Sequence, residues 1–152
     1  MKMMERLDKS TNRLTEITDR LSEAEETITK IEAQLKNEEG KEVDSLRKTG
    51  KAMTDSIKSI RNFIFGKPQE KQGSGAPYQL TVNGTLGDAS GEVLGKTKIP
   101  DQQEMRMATE AEGLVNEAVQ KTNAFFNGKW EEYKKLVDKT PLNLFKPYKV
   151  VD

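Results

Sequence analysis

The chain has 152 residues, 34% of them apolar and 33% charged, with 25 basic side chains against 25 acidic ones. The apolar share lies well below the roughly 45–50% of ordinary globular domains, which suits long helices with narrow buried seams and argues against a thick-cored α/β enzyme. Zero net charge leaves no overall field toward nucleic acid or an anionic membrane, and the absence of cysteine and histidine removes disulfides, thiolate chemistry and the commonest metal ligand.

The first predicted helix covers about 4–36. Its apolar positions, Leu7, Leu14, Ile17, Leu21, Ala24, Ile28, Ile31 and Leu35, recur by threes and fours along most of its length. Asn37-Glu38-Glu39-Gly40 closes a turn. A second helix, about 42–65, carries a mirrored stripe of Val43, Leu46, Gly50, Met53, Ile57, Ile60 and Ile64. Folding the chain between the stripes sets Leu21 against Ile57 and Ile28 against Gly50, with residue numbers that add to 77 or 78 at every level. The partner so specified is the chain itself, returning antiparallel. Residues 1–40 carry 7 basic and 10 acidic side chains and residues 41–71 carry 8 and 4, opposite signs that favour this pairing. Gly50 is expected to mark a close approach beneath Ile28. Gly66 and Pro68 stop the second helix.

Residues 67–100 differ in kind. Gly-Ser-Gly-Ala-Pro at 73–77, then Asn83-Gly84, Gly87, Gly91 and Gly95, predict a long irregular connection. Tyr78, Leu80 and Val82 alternate ahead of Asn83-Gly84, a hairpin signal, so two short surface strands and a short helical turn stand as equal alternatives.

A third long helix, about 101–138, opens at Asp101 with Glu104 three positions on, an arrangement like a capping box. Its apolar track reads Met105, Ala108, Ala111, Val115, Ala118, Thr122, Phe126, Trp130, Tyr133 and Val137, with Asn127-Gly128 as a place for a kink. Thr140-Pro141 ends it. The tail 139–152 holds Leu142, Leu144, Phe145, Tyr148 and Val150 between and after two prolines, which predicts an extended segment packed on the helices. The fold class expected is therefore all-α: an antiparallel coiled-coil hairpin plus a third long helix, an up-down-up three-helix bundle, making one domain of 1–152.

No constellation of catalytic type emerges. Glu25-Glu26, Glu38-Glu39 and Glu131-Glu132 are adjacent in sequence, so each pair diverges into water. Gly73-Ser74-Gly75 lacks the Gly-Lys-Ser/Thr that completes a phosphate loop, and Asn83-Gly84-Thr85 matches a glycosylation sequon of the kind that recurs by chance. No catalytic, cofactor-binding or metal-binding residue is assigned, and no run of about 20 apolar residues is present to span a bilayer. The one candidate contact site is the late aromatic group Phe125, Phe126, Trp130, Tyr133, Phe145 and Tyr148. Its helical spacing favours a core plug, joined by Phe63 or Phe65, over a sugar-stacking or partner-seating surface.

The long heptad helix, the return helix around Lys51-Ala52-Met53 and Ile57-Lys58-Ser59-Ile60, the loop with Leu80, Asn83 and Leu86, then Pro100, Val119, Asn123-Ala124-Phe125, Trp130, Tyr133, Leu144-Phe145 and Tyr148 follow one another in an order that invites comparison. From about Ser10 onward the chain resembles the helical C-terminal region that follows a sortilin-like, BNR-repeat β-propeller in large exported bacterial proteins, often labelled glycosyl hydrolases. The resemblance implies an accessory bundle, periplasmic or extracellular with its parent, whose protein partner is the propeller and for which Met1 is not the native start. It carries no catalytic residue onto this sequence, and the Gly-Ser-Gly-Ala stretch departs from the polar loop expected there. The expected function is thus a non-enzymatic structural or protein-interaction module, monomeric in isolation, binding neither nucleic acid nor membrane. The alternatives are a free-standing, self-associating coiled-coil protein and a sugar- or ligand-binding domain built on the late aromatics.

Overall fold

The computed structural model describes residues 2–67, 81–94, 102–141 and 150–151. Among these the chain is all-helical, with α1 Lys2–Leu35, α2 Lys41–Phe65, α3 Val82–Leu94, α4 Gln102–Asn127 and α5 Lys129–Lys139. The two expected stripes form much of the core, which α3, α4 and α5 complete. Leu7, Leu14, Ile17, Leu21, Ala24, Ile28 and Leu35 of α1 are buried together with Val43, Leu46, Met53, Ile57, Ile60 and Ile64 of α2. Ile31 is half-buried, and Met3 and Ser10 extend the α1 stripe toward its start.

Polar contacts join α1 and α2. The Arg47 guanidinium donates to the carbonyls of Leu35 and Glu38, capping the end of α1 from the first turns of α2. Arg61 donates to Ser22 Oγ at 2.8 Å and sits 2.9 Å from Glu25 Oε1. Gly40 adopts φ +136°, a conformation that side chains resist; it precedes α2 and takes no part in ending α1. Gly66, at φ +92°, closes α2 as expected.

Several expectations need correction. The 67–100 connection is not wholly irregular: residues 82–94 form α3, which packs on α4, α1 and α2. Its cause is local. Thr81 Oγ1 accepts the Gly84 N–H at 2.9 Å and the Thr81 carbonyl accepts the Thr85 N–H at 3.0 Å, so Thr81 is an N-cap. Val82, Leu86 and Ala89 then recur at helical spacing and are buried. Asn83-Gly84 therefore lies in a first helical turn; of the two alternatives, the helical one holds, and it is longer than a single turn. A Cβ at Gly84 would stand 2.8 Å from Thr81 Oγ1, so the glycine makes room for its own cap. Thr81→Val is expected to lower unfolding free energy by about 1 kcal/mol in urea titration, with α3 amides losing hydrogen-exchange protection first.

The third helix is also not continuous. Gly128, at φ −111° and ψ −94°, separates α4 from α5, and α5 runs on to Lys139 before Thr140 takes an extended conformation. The core side of α4 is shifted by one residue at both ends from the expected track. Glu104, not Met105, lies inside, with Met105 half-exposed, and Phe125 is buried while Phe126 is only half-buried. The proposed Asp101 cap, the 67–80 segment beyond Lys67 and the tail residues Leu142 to Lys149 lie outside the described residues. Val150, expected to pack, is 91% exposed.

Candidate functional site

α4 and α5 meet over the middle of the hairpin. Arg6 Nε reaches Glu112 Oε2 at 3.0 Å, and Arg13 donates to Asn116 Oδ1, so α4 lies along α1. The half-exposed Arg6–Glu112 pair contributes on the order of 0–1 kcal/mol, so apolar packing holds the rods together. Ala108, Ala111, Val115 and Ala118 bring the α4 backbone close before Phe125 widens it.

At the joint, four of the six expected aromatics gather. Phe125 and Phe126 meet edge-on with centroids 5.1 Å apart, Trp130 lies 5.9 Å from each of them, and Tyr133 lies 5.5 Å from Trp130. Phe125 and Tyr133 are buried, Phe126 and Trp130 half-buried. Phe145 and Tyr148 lie outside the described residues. Of the two α2 aromatics, Phe63 is half-buried near Phe125 while Phe65 is 50% exposed and stands apart.

Tyr133 reaches into α2 at Gly50. A Cβ there would meet the Tyr133 hydroxyl at 3.4 Å and Glu32 Oε1 at 3.6 Å, so the close approach expected beneath Ile28 is made by Tyr133. The hydroxyl is buried and has no hydrogen-bond partner among the described residues. Burial, and secondarily the negative charge of Glu32, pushes the phenol up to about 12.

Two grooves flank the aromatic cluster. One, of about 350 Å³, lies between α1 and the joint and is lined by Arg20, Glu23, Thr27, Asn123, Phe126 and Trp130. The other, about 620 Å³, lies between α2 and the joint; Ile60, Phe63, Ala124 and Phe125 form its floor. Lys121 Nζ stands 5.0 Å over the Phe63 ring, and Lys129 Nζ is 3.5 Å from Ser56 Oγ. Sequence inspection missed this groove because its walls come from segments some 60 residues apart, with no local signal linking Phe63 to Lys121.

The adjacent carboxylates do not converge. Glu25 pairs with Arg61 and Glu131 with Lys134, at 2.9 and 3.0 Å. Among the described residues no three potential metal ligands cluster, and no helix is long and apolar enough to cross a membrane. No protein-family profile, no curated protein and no solved structure matches the chain.

Proposed function

We propose that the chain is a non-enzymatic helical module that offers a rigid face to a protein partner. In this reading it is the accessory bundle behind a BNR-repeat propeller in a larger exported protein. The arrangement proposed is up-down-up, with α1 rising, α2 returning and α4–α5 rising again, and with α3 inserted beside them. Contact order supports it: Arg6 with Glu112 and Arg13 with Asn116 advance together, whereas Arg47 with Leu35 and Arg61 with Ser22 advance in opposite senses.

The observation that carries the reading is the α1 seam. From Met3 to Leu35 it is buried against helices of the same chain except at the half-buried Ile31, leaving charged and polar faces outward over a rod of about 50 Å at 1.5 Å per residue. A seam buried along nearly its whole length gives stiffness, and stiffness is what a spacer or docking arm requires. The same seam weighs against a self-associating rod, because α1 has no apolar stripe left for a second copy.

The test has two parts. Light scattering at micromolar concentration should return the mass of one chain, 17.1 kDa. The coding sequence upstream of Met1 should encode BNR repeats, and that propeller, made separately, should co-elute with this bundle. A dimer removes the monomeric module, and a promoter directly upstream removes the propeller.

A further inference from the structure

We propose that the groove between α2 and the α4–α5 joint binds a small dianion with a flat apolar body, a site that goes beyond the structural role above. Its floor of Ile60, Ala124 and Phe125 offers apolar area that water wets poorly, and its volume of about 620 Å³ lies within the range of small-molecule sites. Cations stand at both ends. Lys121 crosses from α4 to lie over Phe63, and Lys129 crosses from α5 toward Ser56. Neither ammonium lies within ion-pair distance of a carboxylate among the described residues, and no carboxylate lines the groove.

Spacing then narrows the ligand. Ser56 and Phe63, the two points the lysines reach, are seven residues apart on one helix, about 10 Å at 1.5 Å per residue. Subtracting about 3 Å for an N–H···O contact at each end leaves about 4 Å. The flexible lysine stems, each free to swing outward by several ångströms, widen this to the span of two anionic groups on a one- or two-ring body. The rings would lie on Ile60 and Phe125, and the Ser59 hydroxyl in the wall offers a further donor. A neutral aromatic would forgo both ammonium groups.

Naphthalene-2,6-dicarboxylate is a suitable probe, with naphthalene-2-carboxylate and 2-naphthol as the monoanionic and neutral counterparts. Titration followed by amide NMR shifts should show saturable binding of the dianion with Kd below about 1 mM, tighter than either counterpart. The shifts should centre on Ser59, Phe125 and Lys129. Lys121→Gln and Lys129→Gln, both exposed positions, should each weaken the dianion about fivefold or more while leaving the melting temperature unchanged. Absence of saturation, equal affinity for 2-naphthol, shifts centred on the Arg20–Trp130 groove, or unchanged affinity in the double variant would each overturn the proposal.

Discussion

Leu21→Asp is expected to abolish the cooperative thermal transition of this protein. Leu21 and its sequence-assigned opposite Ile57 are both 0% exposed, at the level where the α1 and α2 stripes are most completely enclosed. A carboxylate there has no cation to meet: Arg61 is engaged by Glu25 and Ser22 on the flank of the hairpin. Losing the leucine alone costs about 2–5 kcal/mol, and burying an unpaired polar group adds several more. The sum is of the same order as the whole stability of a domain this size, about 5–15 kcal/mol. Far-UV circular dichroism against temperature is the measurement. Glu26→Ala, an exposed neighbour in the same helix, should stay within about 0.5 kcal/mol of the parent and shows that the helix tolerates change off the seam. If Leu21→Asp melts with the parent, the seam does not hold α1 in place.

The buried stripes of α1 and α2 were legible because a heptad stripe is a local, repeated signal. Each of Leu7, Leu14, Ile17 and Leu21 restates the same face, so no single ambiguous residue decides it. α3 was not legible for the opposite reason. Gly84, Gly87 and Gly91 each vote for a turn, and Asn83-Gly84 is the strongest short hairpin signal there is. What outweighs them is tertiary: Val82, Leu86 and Ala89 bury one narrow side against α1, α2 and α4, and Thr81 supplies the cap. Helix propensity is a weak prior that such packing overrides.

The joint shows a second kind of limit. Asn127-Gly128 was visible as a place to kink, but the one-residue shift of the core side from Met105 to Glu104 and from Phe126 to Phe125 was not. A track read by threes and fours on one helix leaves such a choice to the neighbours. The aromatics were visible as a group, with Phe63 or Phe65 as a partner on α2, and Phe125 to Tyr133 do gather with Phe63 beside them, yet the approach of Tyr133 to Gly50 was not visible. Sequence pairing gave Gly50 to Ile28, and in the structure Tyr133 takes that place because α5 veers onto α2 after Gly128.

That substitution of partners makes Gly50 and Tyr133 a sharp pair to test. Gly50→Ala places a Cβ at ordinary contact distances of 3.4–3.8 Å from Tyr133 and Glu32, so it should be accommodated. It also removes a glycine from mid-helix, and should raise stability by up to about 1 kcal/mol in urea titration. Gly50→Leu has no such room; its branches must displace the Tyr133 ring, at an expected cost of about 1–3 kcal/mol. Tyr133→Phe keeps the ring and deletes a buried hydroxyl that has no partner, so it should be neutral or stabilising by about 1 kcal/mol. The pH dependence carries the sign. The phenol is held at about 12 in the folded chain against 10.0 ordinarily, so folded molecules retain a proton that unfolded ones release. Its contribution to stability is complete below pH 10.0 and is lost as pH rises toward about 12. Stability of the parent should therefore fall more steeply than that of Tyr133→Phe across this window, since lysine titration is common to both. Parallel profiles for parent and variant would mean that the Tyr133 hydroxyl is wet, and that α5 does not close on Gly50.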